Sequence, residues 1–224
     1  MKERPLLMTS ENAQKCHDGT KTQTRRLVKP PPPTNIAGLY YRILADGRTF
    51  RGYFSGMGEP ADVPEIVCPF GSIGSRLWIR EAFQYVESGD GSVISYKGNG
   101  EDRDLRKIVY TDFECLQPSG VGDLIKDFDD GEHPWKPAIH MPRWAGRTVV
   151  EITAIRVERV QEISEEDAKA EGCEAGMIPF LATPGNRPAS ARIVFSRLWD
   201  SIHGHGAWER NEWVWVLPFK KVAL

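Results

Sequence analysis

The chain has 224 residues, of which 40% are hydrophobic, and a formal net charge of -2 at pH 7. Its 29 Lys and Arg against 31 Asp and Glu exclude a global attraction to nucleic acid, so RNA binding would need local patches. No secretory signal, no bilayer-length apolar run and no CxxC pair among the four cysteines is present, which predicts a cytoplasmic protein with free thiols and no membrane association.

The N-terminal part is predicted to form a strand, a short helix and an extended segment. RPLLMT, residues 4–9, reads as a strand. Ser10 is a plausible N-cap for a helix through Asp18, which Gly19 ends. The segment GTKTQTRRLV then leaves the helix, and its threonines favour extended structure. KPPPP, residues 29–33, predicts polyproline II.

The middle of the chain is predicted to contain strands separated by long loops. YYRILADGRTFRGYF, residues 40–54, places Asp46-Gly47 between β-prone flanks and predicts a hairpin. RLWIREAFQYV, residues 76–86, predicts one strand. The other predictions here are a loop at 55–74, strands at SVISY (92–96) and KIVYTDF (107–113), and a loop at 118–135.

The C-terminal part carries the strongest β pattern. In residues 147–163 the apolar phase changes by one residue, from Val150 and Ile152 to Ile155 and Val157, as in a β-bulge. The remaining predictions are a helix capped by Ser164 and closed by Gly172, a loop or lid at 173–190, an amphipathic helix at 191–203, and a buried final strand at 212–222. Six or more strands with three short helices predict an α+β fold built around a small β-barrel.

Several motifs together resemble the ASCH-domain family, whose members have a PUA-like barrel. They are the turn with Gly19, Lys21, Thr24 and Arg26, the strand GSRLWIRE, the segment SEEDAKAEG and the final WVWVLPF. CPFGSIGSRLWIRE and WKPAIHMPRWAGR are of the type found in phage and prophage members. The resemblance implies a single domain over 1–224 with insertions at about 30–70, 87–135 and 173–190. Ser75 departs from the family, in which many members have Asp there.

The resemblance also implies a class of ligand and one reaction. The family has been linked to RNA, and one bacterial branch is an amidohydrolase that removes acetyl from N4-acetylcytidine. Its working lysine and threonine match Lys21 and Thr24, and its glutamate matches Glu171. Other members are proposed to bind or cut single-stranded RNA. The alternatives are therefore a single-stranded RNA nuclease, or a phage accessory protein that binds RNA or a host protein without catalysis.

The residues of this segment have the groups that amide hydrolysis needs. Thr24 would be the nucleophile and Lys21 its base, with Arg25 and Arg26 favouring the neutral amine and Glu171 moving or orienting the proton. On a straight strand, positions 21 and 24 face opposite sides, so they converge only if the segment turns or bulges. The alternative is that Lys21, Arg25 and Arg26 are solvated charges, Thr24 is a β-former and Glu171 is a surface charge.

Further binding residues are predicted in two places. Glu81 ends an apolar strand and is either a second candidate carboxylate or a member of an ion pair with Arg80 or Arg26. WKPAIHMPRW interleaves aromatic rings with cations, as in sites that stack on bases and contact phosphates. Its candidate substrate-binding residues are Trp135, Lys136, His140, Arg143 and Trp144, whose tryptophans could instead be core anchors of a loop.

Metal chemistry and cofactors are not expected. His203 and His205 form a spaced pair in a glycine-rich turn, with no nearby cysteine and no clear third ligand. No glycine-rich phosphate loop or dinucleotide fingerprint is present. The resemblance thus implies a protein that binds RNA or a modified nucleoside, and if it also hydrolyses an acylated nucleobase, it does so as a metal-independent amidohydrolase.

Overall fold

The structure is a computed structural model that describes residues 3–32, 39–54, 64–88, 91–98, 104–108, 135–176 and 189–223. The chain divides into two compact units. The first contains Met1–Arg4, Lys15–Leu77 and Val149–Leu224, and the second contains Pro5–Gln14 and Trp78–Thr148. The single-domain organisation inferred from the sequence stays a prediction.

The first unit is organised around its last strand, β12 (Trp213–Val222). One edge of β12 pairs antiparallel with β2 (Gln23–Leu27). Its other edge pairs first with β11 (Arg156–Arg159) and then with β10 (Val149–Ile152). Residues 213–217 of β12 are all buried, which confirms the prediction of a strand covered on both faces.

The predicted bulge is confirmed by the register of β12 with its two successive neighbours. Ile152 lies opposite Phe219, whereas Arg156 lies opposite Val216. Four residues on one side therefore face three on the other, which is the one-residue surplus that defines a bulge. The break at 153–155 separates β10 from β11, so the predicted long strand is two shorter ones.

Two helices pack against this sheet. The first of the two, α2 (Glu165–Ala170), begins where the Ser164 hydroxyl accepts a hydrogen bond from the Asp167 main chain. The second, α3 (Ala191–His203), is capped by Ser190 in the same way. Both helices were predicted, the first of them with its Ser164 cap. Their apolar faces share a core with β12, formed by Val160, Ile163, Ala168, Phe195, Trp199, Val214 and Val216.

The predicted hairpin is present in the first unit. It consists of β3 (Leu39–Ile43) and β4 (Thr49–Phe54), joined by the predicted turn. A two-residue strand, β5 (Ile66–Val67), lies in the predicted loop and pairs with β4. The Phe50 ring contacts Trp215 edge-on, with 5.3 Å between ring centroids, so the hairpin packs on β12.

Three elements run from one unit into the other. They are β1 (Arg4–Leu7), α1 (Ser10–Asp18) and β6 (Arg76–Arg80), and α1 agrees with the predicted helix. The predicted polyproline segment bends at Lys29 and Pro30. Its last residue lies outside the described part of the chain.

The second unit contains a meander of β7 (Phe83–Ser88), β8 (Gly91–Tyr96) and β9 (Asp104–Ile108). The strand predicted at 76–86 is interrupted at residues 81–82, because β6 pairs with β1 and β7 pairs with β8. The strand predicted at 107–113 starts earlier, and 109–113 lie outside the described residues. So does almost all of the loop predicted at 118–135.

The protein is thus α+β, with a curled sheet in a half-barrel arrangement and few helices. None of the described helices is long and apolar enough to cross a membrane. Of the loop or lid predicted at 173–190, the structure describes the two ends, which pair at Gly176 and Ala189.

Candidate functional site

Lys21 lies between helix α1 and strand β2, on a segment that the two helices α1 and α2 hold in place. Gly19 ends α1 with φ of 81°, a conformation that glycine adopts without steric cost. The Lys21 main chain then donates to the carbonyl of Lys15, and Thr22 donates to the carbonyl of Ala170. Lys21 therefore precedes the strand, so the alternation that separates positions 21 and 24 on a regular strand does not apply to it.

The Lys21 ammonium forms a buried ion pair with Glu171. Its Nζ donates to Glu171 Oε2 at 2.6 Å and to the Glu171 carbonyl oxygen at 2.7 Å. The two side chains are 2% and 4% exposed. The sequence resemblance placed these residues in one site, and the structure brings them into direct contact. Lys21 and Glu171 are therefore neither solvated nor surface charges.

Arg25 extends this pair into a larger charge network. Its guanidinium donates to Asp167 at 2.8 Å and to Glu158 at 3.1 Å, and it lies 3.7 Å from Glu171. Arg156 contacts both Glu158 and Asp167 from the outer side. Among the described residues, the network thus joins three cations to three carboxylates, an arrangement that compensates charge in a buried environment.

The network lowers the pKa of its central aspartate. Burial acts to raise the pKa of the Asp167 carboxyl, but hydrogen bonds and charge from Arg25 and Arg156 outweigh it and hold that pKa below its ordinary value. Gln23 also contacts the network, since in its favoured amide orientation it donates to Asp167 at 3.2 Å and accepts from Arg25 at 2.6 Å.

Thr24 and Arg26 lie on β2 beside the network. Thr24 is opposite Leu217 and Arg26 is opposite Trp215 in the register with β12. Thr24 is 3% exposed, so its hydroxyl belongs to the interior of the unit. Burial lowers the pKa of the Arg26 guanidinium, and the negative charge of Glu171 opposes that shift.

Sequence reasoning missed three members of the network, which are Glu158, Asp167 and Arg156. Asp167 follows the predicted cap Ser164 by three residues, a spacing that resembles a capping box. It precedes Glu171 by four residues, so both carboxylates project from one face of the α2 turn region. Arg156 and Glu158 alternate with the apolar Ile155 and Val157, which places them on the other face of β11. The four-residue spacing on α2 and the alternation on β11 are the sequence signals that could have identified these three residues.

Glu81 lies in the second unit, where it pairs with Arg147. The Arg147 guanidinium donates to both carboxylate oxygens of Glu81, each at 2.9 Å, and also donates to Gln14 at 2.7 Å. Glu81 is completely buried, and the Arg147 guanidinium lies 4.3 Å from the ring centroid of Tyr96. The sequence had anticipated an ion pair for Glu81 but not this arginine.

The 135–144 segment presents half-buried rings beside cations. Trp135, Lys136, Arg143 and Trp144 are half-buried, and His140 is exposed. The Lys97 ammonium lies 5.9 Å from the Trp135 ring, whereas Arg143 and Arg80 lie 5.8 and 5.4 Å from the ring of the buried Trp78. The core anchor here is thus Trp78, which sequence reasoning had not selected, and neither Trp135 nor Trp144 is fully buried.

The structure therefore groups the predicted residues into two sets. Lys21, Thr24, Arg25, Arg26 and Glu171 belong to the first unit, and the remaining predicted residues belong to the second. Within the described part of the chain, no group of three His, Cys, Asp or Glu side chains is arranged to hold a metal ion. Comparisons with protein-family models, with curated proteins and with solved structures find no match for this chain.

Proposed function

We propose that this protein is a PUA-like, ASCH-type protein that binds RNA or a modified nucleoside and hydrolyses an acylated nucleobase such as N4-acetylcytidine. The observation that carries this proposal is the buried contact of 2.6 Å between Lys21 and Glu171. The two residues are 150 positions apart in the sequence, and both match the working residues of the amidohydrolase branch that the motifs resemble.

The proposed chemistry assigns one step to each residue. Glu171 accepts the proton of the Lys21 ammonium, and the neutral amine then removes the proton of the Thr24 hydroxyl. The Thr24 oxygen attacks the acyl carbon, and the Lys21 ammonium returns its proton to the leaving amine of the base. Water then attacks the acyl-threonine ester while the neutral Lys21 amine takes a proton from that water and passes it to the departing Thr24 oxygen. This step releases the carboxylic acid and restores the Thr24 hydroxyl, and the proton on Glu171 returns to Lys21.

Arg25 acts through Glu171 in this proposal. It lies 3.7 Å from the Glu171 carboxylate and holds Asp167 and Glu158 through direct hydrogen bonds. Its positive charge lies beside the carboxylate that receives the Lys21 proton, so Arg25 helps to hold Glu171 in place. We therefore assign Arg25 a positioning role.

The test is acetate release from N4-acetylcytidine and related acylated cytidines without added metal. Lys21→Met and Thr24→Val should each reduce the rate by about 100-fold or more, because each removes a group that takes part in the chemistry. Lys220→Met is the matched control, since Lys220 belongs to an exposed ion pair with Glu151 and should leave the rate unchanged. The absence of turnover across the panel, or equal rates for wild type and Lys21→Met, would contradict the proposal.

Binding of RNA without catalysis is the second candidate, and the 135–144 segment favours it. Cations beside half-buried tryptophans suit contacts with phosphates and stacking on bases. Arg143→Ala should weaken binding of a single-stranded RNA and reduce the slope of its salt dependence by about 1. Arg197→Ala, at an exposed position on α3, is the control. Equal RNA affinity for Arg143→Ala and wild type would show that the segment is structural.

A further inference from the structure

A pocket separate from the proposed catalytic residues lies in the first unit. Its volume is about 480 Å³, within the range of small-molecule sites. Residues 41–43 of β3, Phe50 of β4 and residues 155–158 at β11 line it. Lys21, Thr24 and Glu171 are not among its lining residues, so a ligand bound in this pocket would not contact the residues of the proposed reaction.

Two strand edges form the opposite sides of this pocket. Alternate side chains of a strand point to opposite faces, so a pocket lined by several consecutive residues faces the edge of that strand. β3 ends the sheet β3-β4-β5, and β11 ends the sheet that contains β12. Between these two edges no β-ladder forms within the described chain. Main-chain donors and acceptors on both edges are therefore directed towards the pocket.

The side chains of the pocket combine apolar walls with three charged residues, which are Arg42, Arg156 and Glu158. Phe50 and Val157 are buried, and Ile43 is 39% exposed. Arg156 and Glu158 contact each other at 2.6 Å, with side chains that are 40% and 23% exposed. A hydrogen-bond donor and an acceptor thus lie side by side at the pocket. Asp167 and Glu158 already balance the Arg156 charge, so the β11 side of the pocket favours a neutral ligand over an anion. On the β3 side, the Arg42 guanidinium lies 5.3 Å from the ring centroid of Tyr40 and 5.4 Å from that of Tyr53.

Tyr41 supplies a further unsatisfied group at this wall. It is 9% exposed, and its hydroxyl has no hydrogen-bond partner among the described residues. Burying such a donor without an acceptor is unfavourable. A ligand oxygen that accepts a hydrogen bond from this hydroxyl would relieve that cost.

We propose that this pocket binds a planar heterocycle that carries an N–H group beside a C=O group, as a pyrimidine base does. The ring would pack against Tyr41 and Phe50. Its amide-like edge would pair with the main chain of the strand edges and with the adjacent Arg156 and Glu158. This donor-acceptor pattern selects the ligand by its edge, so blocking the N–H should abolish recognition while the shape of the ring changes little.

The test uses uridine as the probe and 3-methyluridine, in which a methyl group replaces the ring N–H, as its matched control. In protein with labelled isoleucine methyl groups, uridine should shift the resonances of Ile43 and Ile155 and leave that of Ile193 on α3 unchanged. 3-Methyluridine should bind at least about tenfold more weakly. Equal affinities, or no shift of Ile43 and Ile155 at about 10 mM uridine, a concentration that would detect even millimolar binding, would overturn the proposal.

Two pairs of variants localise the binding. Ile43→Glu should abolish uridine binding, whereas Ile193→Glu, at a similarly exposed isoleucine outside the pocket, should retain it. Lys21→Met should bind uridine as the wild type does. Binding that is lost in Lys21→Met but kept in Ile43→Glu would place the nucleoside at the proposed catalytic residues and refute the pocket. The outcome is therefore independent of whether acylated cytidine is hydrolysed.

Discussion

Removing the Glu171 carboxylate should destabilise the protein more than removing the Lys21 ammonium that it contacts. In Glu171→Gln, the ammonium stays buried and keeps the Glu171 carbonyl oxygen at 2.7 Å, but it loses the carboxylate charge at 2.6 Å. Leaving one buried charge without its counter-ion costs about 3–5 kcal/mol, and the remaining carbonyl contact favours the lower end, about 3 kcal/mol.

Lys21→Met leaves Glu171 in a less unfavourable state. Arg25 lies 3.7 Å from the Glu171 carboxylate and continues to compensate its charge. The loss should therefore be close to that of one hydrogen bond to a charged group, about 1.5–3 kcal/mol, and we expect the lower limit. In the double variant, which combines Lys21→Met with Glu171→Gln, the two losses of stability should not add. The coupling energy should exceed about 1 kcal/mol because the two side chains are in direct contact.

The measurement is urea unfolding of the wild type, the two single variants and the double variant, with native secondary structure checked by circular dichroism. Lys220→Met serves as the matched control. Its ammonium is 61% exposed and pairs with Glu151 at the surface, so the free energy of unfolding should change by less than about 1 kcal/mol. Additive losses, or a larger loss for Lys21→Met than for Glu171→Gln, would refute the inferred charge compensation.

Two further predictions concern α2 and its end. Because the pKa of Asp167 is lowered in the folded state, its contribution to stability is present above the unfolded pKa and is lost as pH falls through the folded value. In urea titrations from about pH 6 to pH 2, Asp167→Asn should therefore depend less on pH than the wild type does. Gly172 has φ of 82°, so Gly172→Ala should lower the free energy of unfolding by about 1–2 kcal/mol, whereas Gly176→Ala should not. Equal losses of unfolding free energy in Gly172→Ala and Gly176→Ala would contradict this prediction.

The local elements could be predicted because neighbouring residues determine them. The one-residue phase change around Ile155 appears as a one-residue change of register against β12. Ser164 caps its helix through the residue three positions on, as the sequence pattern indicates. In contrast, RLWIREAFQYV looks continuous, yet it is divided at residue 81 because its two halves pair with different strands. Strand pairing of that kind is decided by distant segments and is not encoded locally.

The candidate site could be predicted only in part, since its members come from three separate segments. The pairing of Lys21 with Glu171 followed from resemblance to a family and not from periodicity. Glu158 is 133 residues from its partner Arg25, and Arg147 is 66 residues from Glu81. Ion pairs over such separations depend on the tertiary fold. Local pattern could have indicated that Asp167 and Glu171 share a helix face, but not which cations they meet.

Thr24 is the residue that best separates chemistry from stability at this site. Changes to Lys21, Arg25 or Glu171 remove members of a buried charge network, so they reduce stability whether or not the network is catalytic. Thr24 lies on β2 beside the network and has no charge, so Thr24→Val removes a hydroxyl and keeps much of the shape. If Thr24→Val keeps its unfolding free energy and loses turnover, the loss belongs to the reaction. If it loses neither, the charge network is structural, and the lysine and glutamate stabilise the fold.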